Sequence, residues 1–391
     1  MDHTHDVIVV GARCAGAATA MLLARAGLDV VMVDRADLPS DTLSTHSIAR
    51  SGVVQLQRWG LLDQVLAAGA PAIRDVVFHV DGQRTERRIK AHAGVDFVVA
   101  PRRYALDAII ADAAVAAGAS VRTGIRIRGT RRDADGRVIG VVGHGPAGPV
   151  ELRARFVVGA DGVRSEIARA VEAPVIEERP PAGATHYAYY FGPAWPANEY
   201  YLGNGALSGI FPTNDGHASV WVCLPAGEAK SIRHGASDLD AAFDQMLVRA
   251  AADLADRLHG AVRATAVRGA IGLPNHIRRA AGSGWALVGD AGYHRDPITG
   301  HGISDAFRDA ELLADAIAAV LQGDADASTA LARYQRTRDE MLREIFEITC
   351  ALGEFPAPTR FIELQRQLSH AIDTEASTLA GRPSLDTALA R

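Results

Sequence analysis

The chain has 391 residues, of which 48% are hydrophobic and 22% charged. Those proportions exclude a disordered or fibrous protein and leave room for two or three domains. A net charge of −5 gives no electrostatic footprint for nucleic acid or an anionic membrane surface. The three cysteines, Cys14, Cys223 and Cys350, are too scattered for a disulfide framework or a zinc site, so no metal is expected. With no signal-like segment and no apolar run approaching the roughly 20 residues of a membrane span, a cytoplasmic location is expected.

The run Asp6–Val10 is β-branched without alternation, which predicts a strand buried on both faces. Gly11 to Gly16 predict a turn, Ala17–Ala26 a helix closed by Gly27, and Leu28–Val33 a second buried strand ending in Asp34. A βαβ unit therefore begins at the start of the chain. Farther on, the pattern predicts a helix over Ile48–Arg58 and a hairpin of Val76–Val80 with Arg84–Ile89 around Asp81 and Gly82. A long helix over Arg103–Ala117 follows, then strands near Ser120–Thr123 and Phe156–Val158. Aromatic residues crowd between Tyr187 and Trp221, in a stretch that reads as antiparallel sheet. Trp285–Val288 returns to the buried-strand pattern, and helices are expected over Ile303–Leu321 and Ser328–Leu352.

Three turns carry chemistry. The first runs Gly11-Ala12-Arg13-Cys14-Ala15-Gly16, in the position of a G-x-G-x-x-G loop. Gly11 allows a tight turn, Gly16 allows close helix–strand packing, and the loop amides can hold a pyrophosphate. Arg13 replaces the middle glycine, so it either points away or contacts phosphate itself. Asp34, 23 residues after Gly11, sits where a carboxylate accepts ribose hydroxyls, with Arg35 beside it. The second turn is Gly159-Ala160-Asp161-Gly162. The third, Gly289-Asp290-Ala291, continues through Pro297, Gly300, Gly302 and Ile303 into a helix. Each places an Asp beside glycines after a strand, where open α/β sheets bind ligands.

In this order, the three turns resemble those of the flavoprotein monooxygenases of the p-hydroxybenzoate hydroxylase type, from about Asp6 to Leu321. The resemblance implies an α/β fold: a discontinuous Rossmann-like FAD-binding domain with an inserted antiparallel β substrate domain and C-terminal helices. The FAD-binding part would comprise residues 1–75, 101–180 and 270–325. Residues 76–100 and 181–269 would form the substrate domain, and 326–391 the terminal helices. It further implies that Asp290 contacts the ribityl chain, that Asp161 and Arg164 serve FAD or NAD(P)H, and that Arg103 and Arg50 contact the cofactor. Backbone amides from Pro297 to Gly302 would face the flavin edge.

The implied reaction is hydroxylation of a small aromatic or polyketide-like substrate with NAD(P)H and O2, through a flavin C4a-hydroperoxide. The spacing from Gly289 to Pro297 and the Asp296-Pro297-Ile-Thr-Gly segment are also similar to geranylgeranyl reductases and flavin halogenases. An alkene-reducing enzyme without oxygen insertion is therefore the alternative. His46, His294 and Pro297 are candidate catalytic residues beside the flavin, as is His301, each histidine set against an ordinary loop histidine. Tyr187, Tyr189, Phe211 and Trp221 are candidates for an apolar substrate pocket, set against the packed core of a sheet.

Overall fold

The computed structural model describes residues 3–44, 47–80, 82–203 and 205–383. The chain opens with β1 (Thr4–Val10), α1 (Cys14–Arg25) and β2 (Val30–Val33), followed by α2 (Arg50–Arg58) and α3 (Leu62–Ala67). The hairpin strands β3 (Asp75–Val80) and β4 (Gln83–Arg88) precede α4 (Arg103–Ala116) and β5 (Ser120–Arg122). A meander of β6 (Arg126–Arg132), β7 (Val138–Gly145) and β8 (Gly148–Gly159) leads to α5 (Glu166–Ala170) and β9 (Val175–Arg179). Then come β10 (Gly183–Phe191), β11 (Asn198–Gly203), β12 (Ala206–Pro212) and β13 (His217–Pro225). The helices α6 (Ala226–Gly235), α7 (Leu239–Ala250) and α8 (Ala252–Arg257) follow. Short strands β14 (Val262–Arg263), β15 (Arg268–Ile271), β16 (Asn275–Arg278), β17 (Ala281–Gly282), β18 (Trp285–Leu287) and β19 (Tyr293–His294) lead into three long helices. These are α9 (Gly302–Gln322), α10 (Ala327–Gly353) and α11 (Pro358–Ala380).

The first sheet has the order β17-β18-β8-β1-β2-β5, with β7 on β8 and β6 on β7. From β18 to β5 every neighbouring pair is parallel. β1 explains the unbroken apolar run seen in the sequence. Val7 and Val9 enter the core beneath α1 and α9, while Ile8 and Val10 enter a second core under the meander. A strand covered on both faces has no polar alternation.

Helix α1 begins at Cys14, three residues before the predicted start, because Cys14 to Gly16 form its first turn. The strand expected over Phe156–Val158 is only the end of β8, whose earlier residues pair with β7. The β6–β7 hairpin escapes an apolar-pattern search because β6 reads Arg-Ile-Arg-Gly-Thr-Arg-Arg and buries only Ile127. The β3–β4 hairpin forms as expected; Asp81 itself lies outside the described residues.

The second sheet has the order β14-β10-β13-β12-β11-β3-β4, with β15 also on β10. It is antiparallel except where the early hairpin joins, β3 running parallel to β11. One face packs on α7 and α8 through Phe243, Met246 and Leu254. The other packs on α10 and α11 through Ile345, Leu352, Phe361 and Leu364.

A buried charge cluster fastens α11 to α9. Arg308, fully buried, donates to Asp305, Asp309 and Glu375 at 2.7–2.9 Å. Removing one member leaves the others charged and unpaired in the interior. Arg308→Met is expected to lower stability by about 3–5 kcal/mol, measured as a fall in the urea midpoint with unchanged slope.

Candidate functional site

A cavity of about 610 Å³ opens at the C-terminal edge of the parallel strands. All three motif turns reach it. Gly11, Cys14, Ala15, Asp34, Arg35, Arg103, Asp161, Asp290, His294, Pro297, Gly300, Gly302 and Ile303 line its wall, and Tyr187 lines it from β10.

The glycines make this convergence possible. Gly11 has φ +104°, and a Cβ on it would stand 2.4 Å from the Ala160 carbonyl oxygen. A Cβ on Gly16 would lie 1.8 Å from the Gly11 oxygen, and one on Gly289 would lie 2.9 Å from the Ala15 Cβ. Gly16 and Gly289 therefore stand behind the wall as packing residues. Ala12 also stands behind it, with its amide donating to Asp34 Oδ2 at 2.8 Å.

The first turn of α1 carries no acidic residue and no side-chain cap. Its leading N–H groups have no intrahelical acceptors and lie at the cavity wall. A pyrophosphate fits this open, positively polarised end. Arg13 does not occupy it: its guanidinium donates to the Ser40 carbonyl, the Ser40 hydroxyl and Asp107.

Asp107, unremarked in the sequence, is the anchor of this corner. Fully buried, it accepts from Arg13 Nη1 at 3.1 Å, the Cys14 thiol at 3.0 Å, and Arg103 Nε and Nη2 at 3.0 and 3.1 Å. Burial raises the pKa of the Cys14 thiol; Arg103 opposes it and the Asp107 carboxylate adds to it. Cys14 is thus a packed hydrogen-bond donor and not a reactive thiolate.

The other aspartates divide in function. Asp161 caps α5, accepting from the Glu166 and Ile167 amides at 2.7 and 3.2 Å and from the Ser165 hydroxyl at 2.5 Å. Its burial outweighs these bonds and raises its pKa. Asp290 makes no such cap. Its side chain opens into the cavity while protein surrounds the cavity itself. Burial pushes its carboxyl above the ordinary range, against the pull of His294, Arg103 and Arg295. Asp34 lines the wall with its second oxygen on the Ala36 amide. Asp296 caps the turn at Pro297–Thr299 through the Ile298 amide and holds the Gly183 amide of β10.

Several candidates lie elsewhere. Arg50 does not reach the cavity; it pairs with Asp373 of α11 and the Lys90 carbonyl. Tyr189, Phe211 and Trp221 are closed into a cluster behind Tyr187, with Phe211 and Trp221 rings 5.1 Å apart and the Arg102 guanidinium 3.7 Å above Tyr189. They form sheet core because α10 and α11 cover that face. His294 lines the cavity with Nδ1 on the Pro274 carbonyl. His46 lies outside the described residues. His301 lines the cavity and pairs with Glu375, on a helix that no motif marks.

Two measurements follow from these contacts. Asp107→Asn leaves two guanidinium groups with a neutral partner and releases the first turn of α1. Affinity for FAD, read by fluorescence titration, should fall about tenfold or more, equivalent to about 1.4 kcal/mol. Glu375 supplies a pH signature. Burial opposes its charge, but His301 and Arg308 outweigh it and hold its carboxyl well below the usual range. A depressed carboxylate stabilises the fold above its unfolded value near 4.5, and that stability is lost as pH falls below it. Glu375→Gln should therefore lower Tm near neutrality yet lose less Tm than wild type on acidification below pH 4.5.

Comparison with known proteins gives the same corner of fold space. The model of the family described as FAD binding domain matches residues 4–349. Digeranylgeranylglycerophospholipid reductase 2 of Methanopyrus kandleri is 27% identical over 388 residues, covering 95% of this chain and 91% of the relative. Rifampicin monooxygenase of Rhodococcus hoagii is 27% identical over 358 residues, covering 89% of this chain and 71% of the relative. The structure of p-nitrophenol 4-monooxygenase PnpA from Pseudomonas putida superposes with a TM-score of 0.73 at 19% identity, covering 100% of this chain and 98% of that one. The flavin-dependent brominase Bmp2 gives 0.78 at 19% identity, covering 96% and 98%. At such identities the structural likenesses establish the fold alone. With the family model spanning most of its length and both reductases and a monooxygenase among its relatives, the chain belongs to the FAD binding domain family and is a FAD-dependent oxidoreductase.

Proposed function

We propose that the protein is a monooxygenase that hydroxylates a small aromatic or polyketide-like molecule, using NAD(P)H as reductant and O2 as oxidant. The observation that carries this reading is the closed aromatic wall behind Tyr187. Tyr187 and Tyr189 pack edge to face at 5.8 Å, and Tyr200 packs on both Phe211 and Trp221. The apolar end of the cavity, beside Tyr187, Ala270 and Leu273, is therefore short. A single ring system suits it better than an extended prenyl chain.

FAD would be held by residues already described. The α1 amides would take the pyrophosphate, Asp34 the ribose, Asp290 the ribityl chain, and the Pro297–Gly302 backbone the flavin edge. When bound, FAD supplies the two-electron chemistry that links a nicotinamide donor to O2. The protein's contributions are binding, orientation and exclusion of water. Asp296 fixes the turn before Gly300, whose φ of +62° directs the chain into α9. Tyr187 donates to the Thr42 carbonyl and accepts from the Ser44 amide, holding the 42–44 segment against the cavity.

The reductase reading has its own support in the Asp296-Pro297-Ile-Thr-Gly segment and in relatives named as lipid reductases. Oxygen bookkeeping separates the two. The FAD-loaded protein is incubated with NAD(P)H and a panel of phenols and polyketide-like aromatics under isotopically heavy O2. Product bearing the heavy oxygen is the expected outcome. A saturated, unlabelled product formed equally well without air would replace hydroxylation with alkene reduction.

A further inference from the structure

We propose that His3, His5 and Asp29 form a binding site for a divalent transition-metal ion at the start of β1, with zinc the ion its ligands suit best. The site lies at the opposite end of that strand from the Gly11 turn and stands independently of the hydroxylase reading. Cysteine spacing, which predicts no metal, does not register a site built from imidazoles and a carboxylate.

His3 precedes β1 and His5 is its second residue. Two residues apart is the spacing that puts side chains on one face of an extended chain. The two rings meet edge to face with centroids 4.4 Å apart. His3 Nε2 lies 2.7 Å and His5 Nδ1 2.9 Å from the same oxygen, Asp29 Oδ2. All three atoms lie within 4.8 Å of one another. Zinc bonds imidazole nitrogen and carboxylate oxygen at about 2.0–2.2 Å, which sets tetrahedral ligand atoms roughly 3.4 Å apart. Opening the two contacts by well under one ångström seats an ion between the three atoms.

The backbone holds two of the three ligands in place. His5 is 5% exposed and stands opposite Ala154 in the β1–β8 pairing. Asp29 follows the Gly27 turn. Its carbonyl accepts from the Asp6 and Val7 amides at 3.0 and 3.1 Å, and its own amide donates to Asp6 Oδ2 at 3.1 Å. Asp6 is itself paired with Arg155. His3 is the outer arm: its side chain is 70% exposed, and that of Asp29 44%. One side of the group is thus open to solvent. An ion can enter there, and water can take the position that three protein ligands leave free.

The ligand set chooses the class of ion. Two imidazole nitrogens suit zinc, nickel or copper, whereas calcium and magnesium take oxygen ligands. A second group, His301, Asp305 and Glu375, also has its ligand atoms within 4.8 Å of one another. There the Arg308 guanidinium, 2.8 Å from Asp305 and 2.9 Å from Glu375, already fills the cationic position. Among the described residues no Lys or Arg pairs with Asp29, so no side-chain cation competes for its carboxylate. A bound ion ties the first residues of the chain to the turn before β2, and so steadies the strand from which the Gly11 turn leaves.

The test uses the full-length, FAD-loaded protein, free of any affinity tag and stripped of metal. Titration calorimetry with zinc chloride should show one equivalent bound. Tm should rise with zinc concentration, because the ion binds the folded chain. Asp29→Asn and His3→Ala should each weaken zinc binding about tenfold or more at unchanged FAD content. His3→Ala removes a largely exposed side chain, so its loss of affinity is not a loss of fold. No zinc bound at millimolar concentration, or an affinity indifferent to both substitutions, overturns the site. Zinc that binds but lowers Tm or releases FAD acts elsewhere on the molecule and overturns it as well.

Discussion

The parallel pairing of β2, β1, β8 and β18 levels four strand ends at one edge. Val10 stands opposite Val33 on one side and Gly159 on the other, and Gly159 stands opposite Leu287. Segments that are far apart in the chain, at residues 11, 34, 160 and 289, therefore leave the sheet side by side. Their turns must then share a small volume. Gly11 lies against the Ala160 carbonyl and Gly289 against Ala15 at distances that leave no place for a Cβ. The glycine pattern is a consequence of that crowding. The backbone amides it leaves open lie at the edge where open α/β sheets bind ligands.

Arg13 shows how a departure from the glycine pattern is absorbed. A long cationic side chain stands where the motif has its middle glycine, and the fold turns it away from the helix end toward Ser40 and Asp107. The same carboxylate holds Arg103 and the Cys14 thiol. Two guanidinium groups on one buried carboxylate leave a positive excess beside the α1 N-terminus. The excess and the helix dipole have the same sign, so both favour an anion at that corner. Arg13 thus lines the cavity from the side, where its charge adds to the positive polarity of the helix end.

The sequence made legible what depends on local backbone chemistry. A strand buried on both faces, a turn that needs positive φ and an aspartate after a strand each leave a mark within a few residues. That is why Gly11, Asp34, Asp161 and Asp290 could be placed at one site before any coordinates. Asp107 and Glu375 could not, because each sits on an ordinary helix and acquires its meaning from partners across the fold. For Arg50 the position in the chain was misleading. A partner on α11, Asp373, competes successfully for its guanidinium. The aromatic cluster failed for a related reason: burial of Tyr189, Phe211 and Trp221 reads the same whether the covering surface is a ligand or a helix.

That last ambiguity is resolved by the terminal helices, and its resolution bears on specificity. Ile345, Ile348 and Leu352 of α10 and Phe361, Leu364 and Leu368 of α11 pack into the cluster that contains Tyr187, Phe211 and Trp221. Without that cover the aromatic face of the sheet would extend the cavity. With it, only Tyr187 and Thr185 of β10 remain on the wall. The same α11 places Glu375 on His301. One helix therefore covers the aromatic face of the sheet and holds its buried carboxylate against His301 of α9. Changes in its packing residues and in its single buried carboxylate should act on different properties, the first on the depth of the cavity beside Tyr187 and the second on how firmly α11 is held to α9.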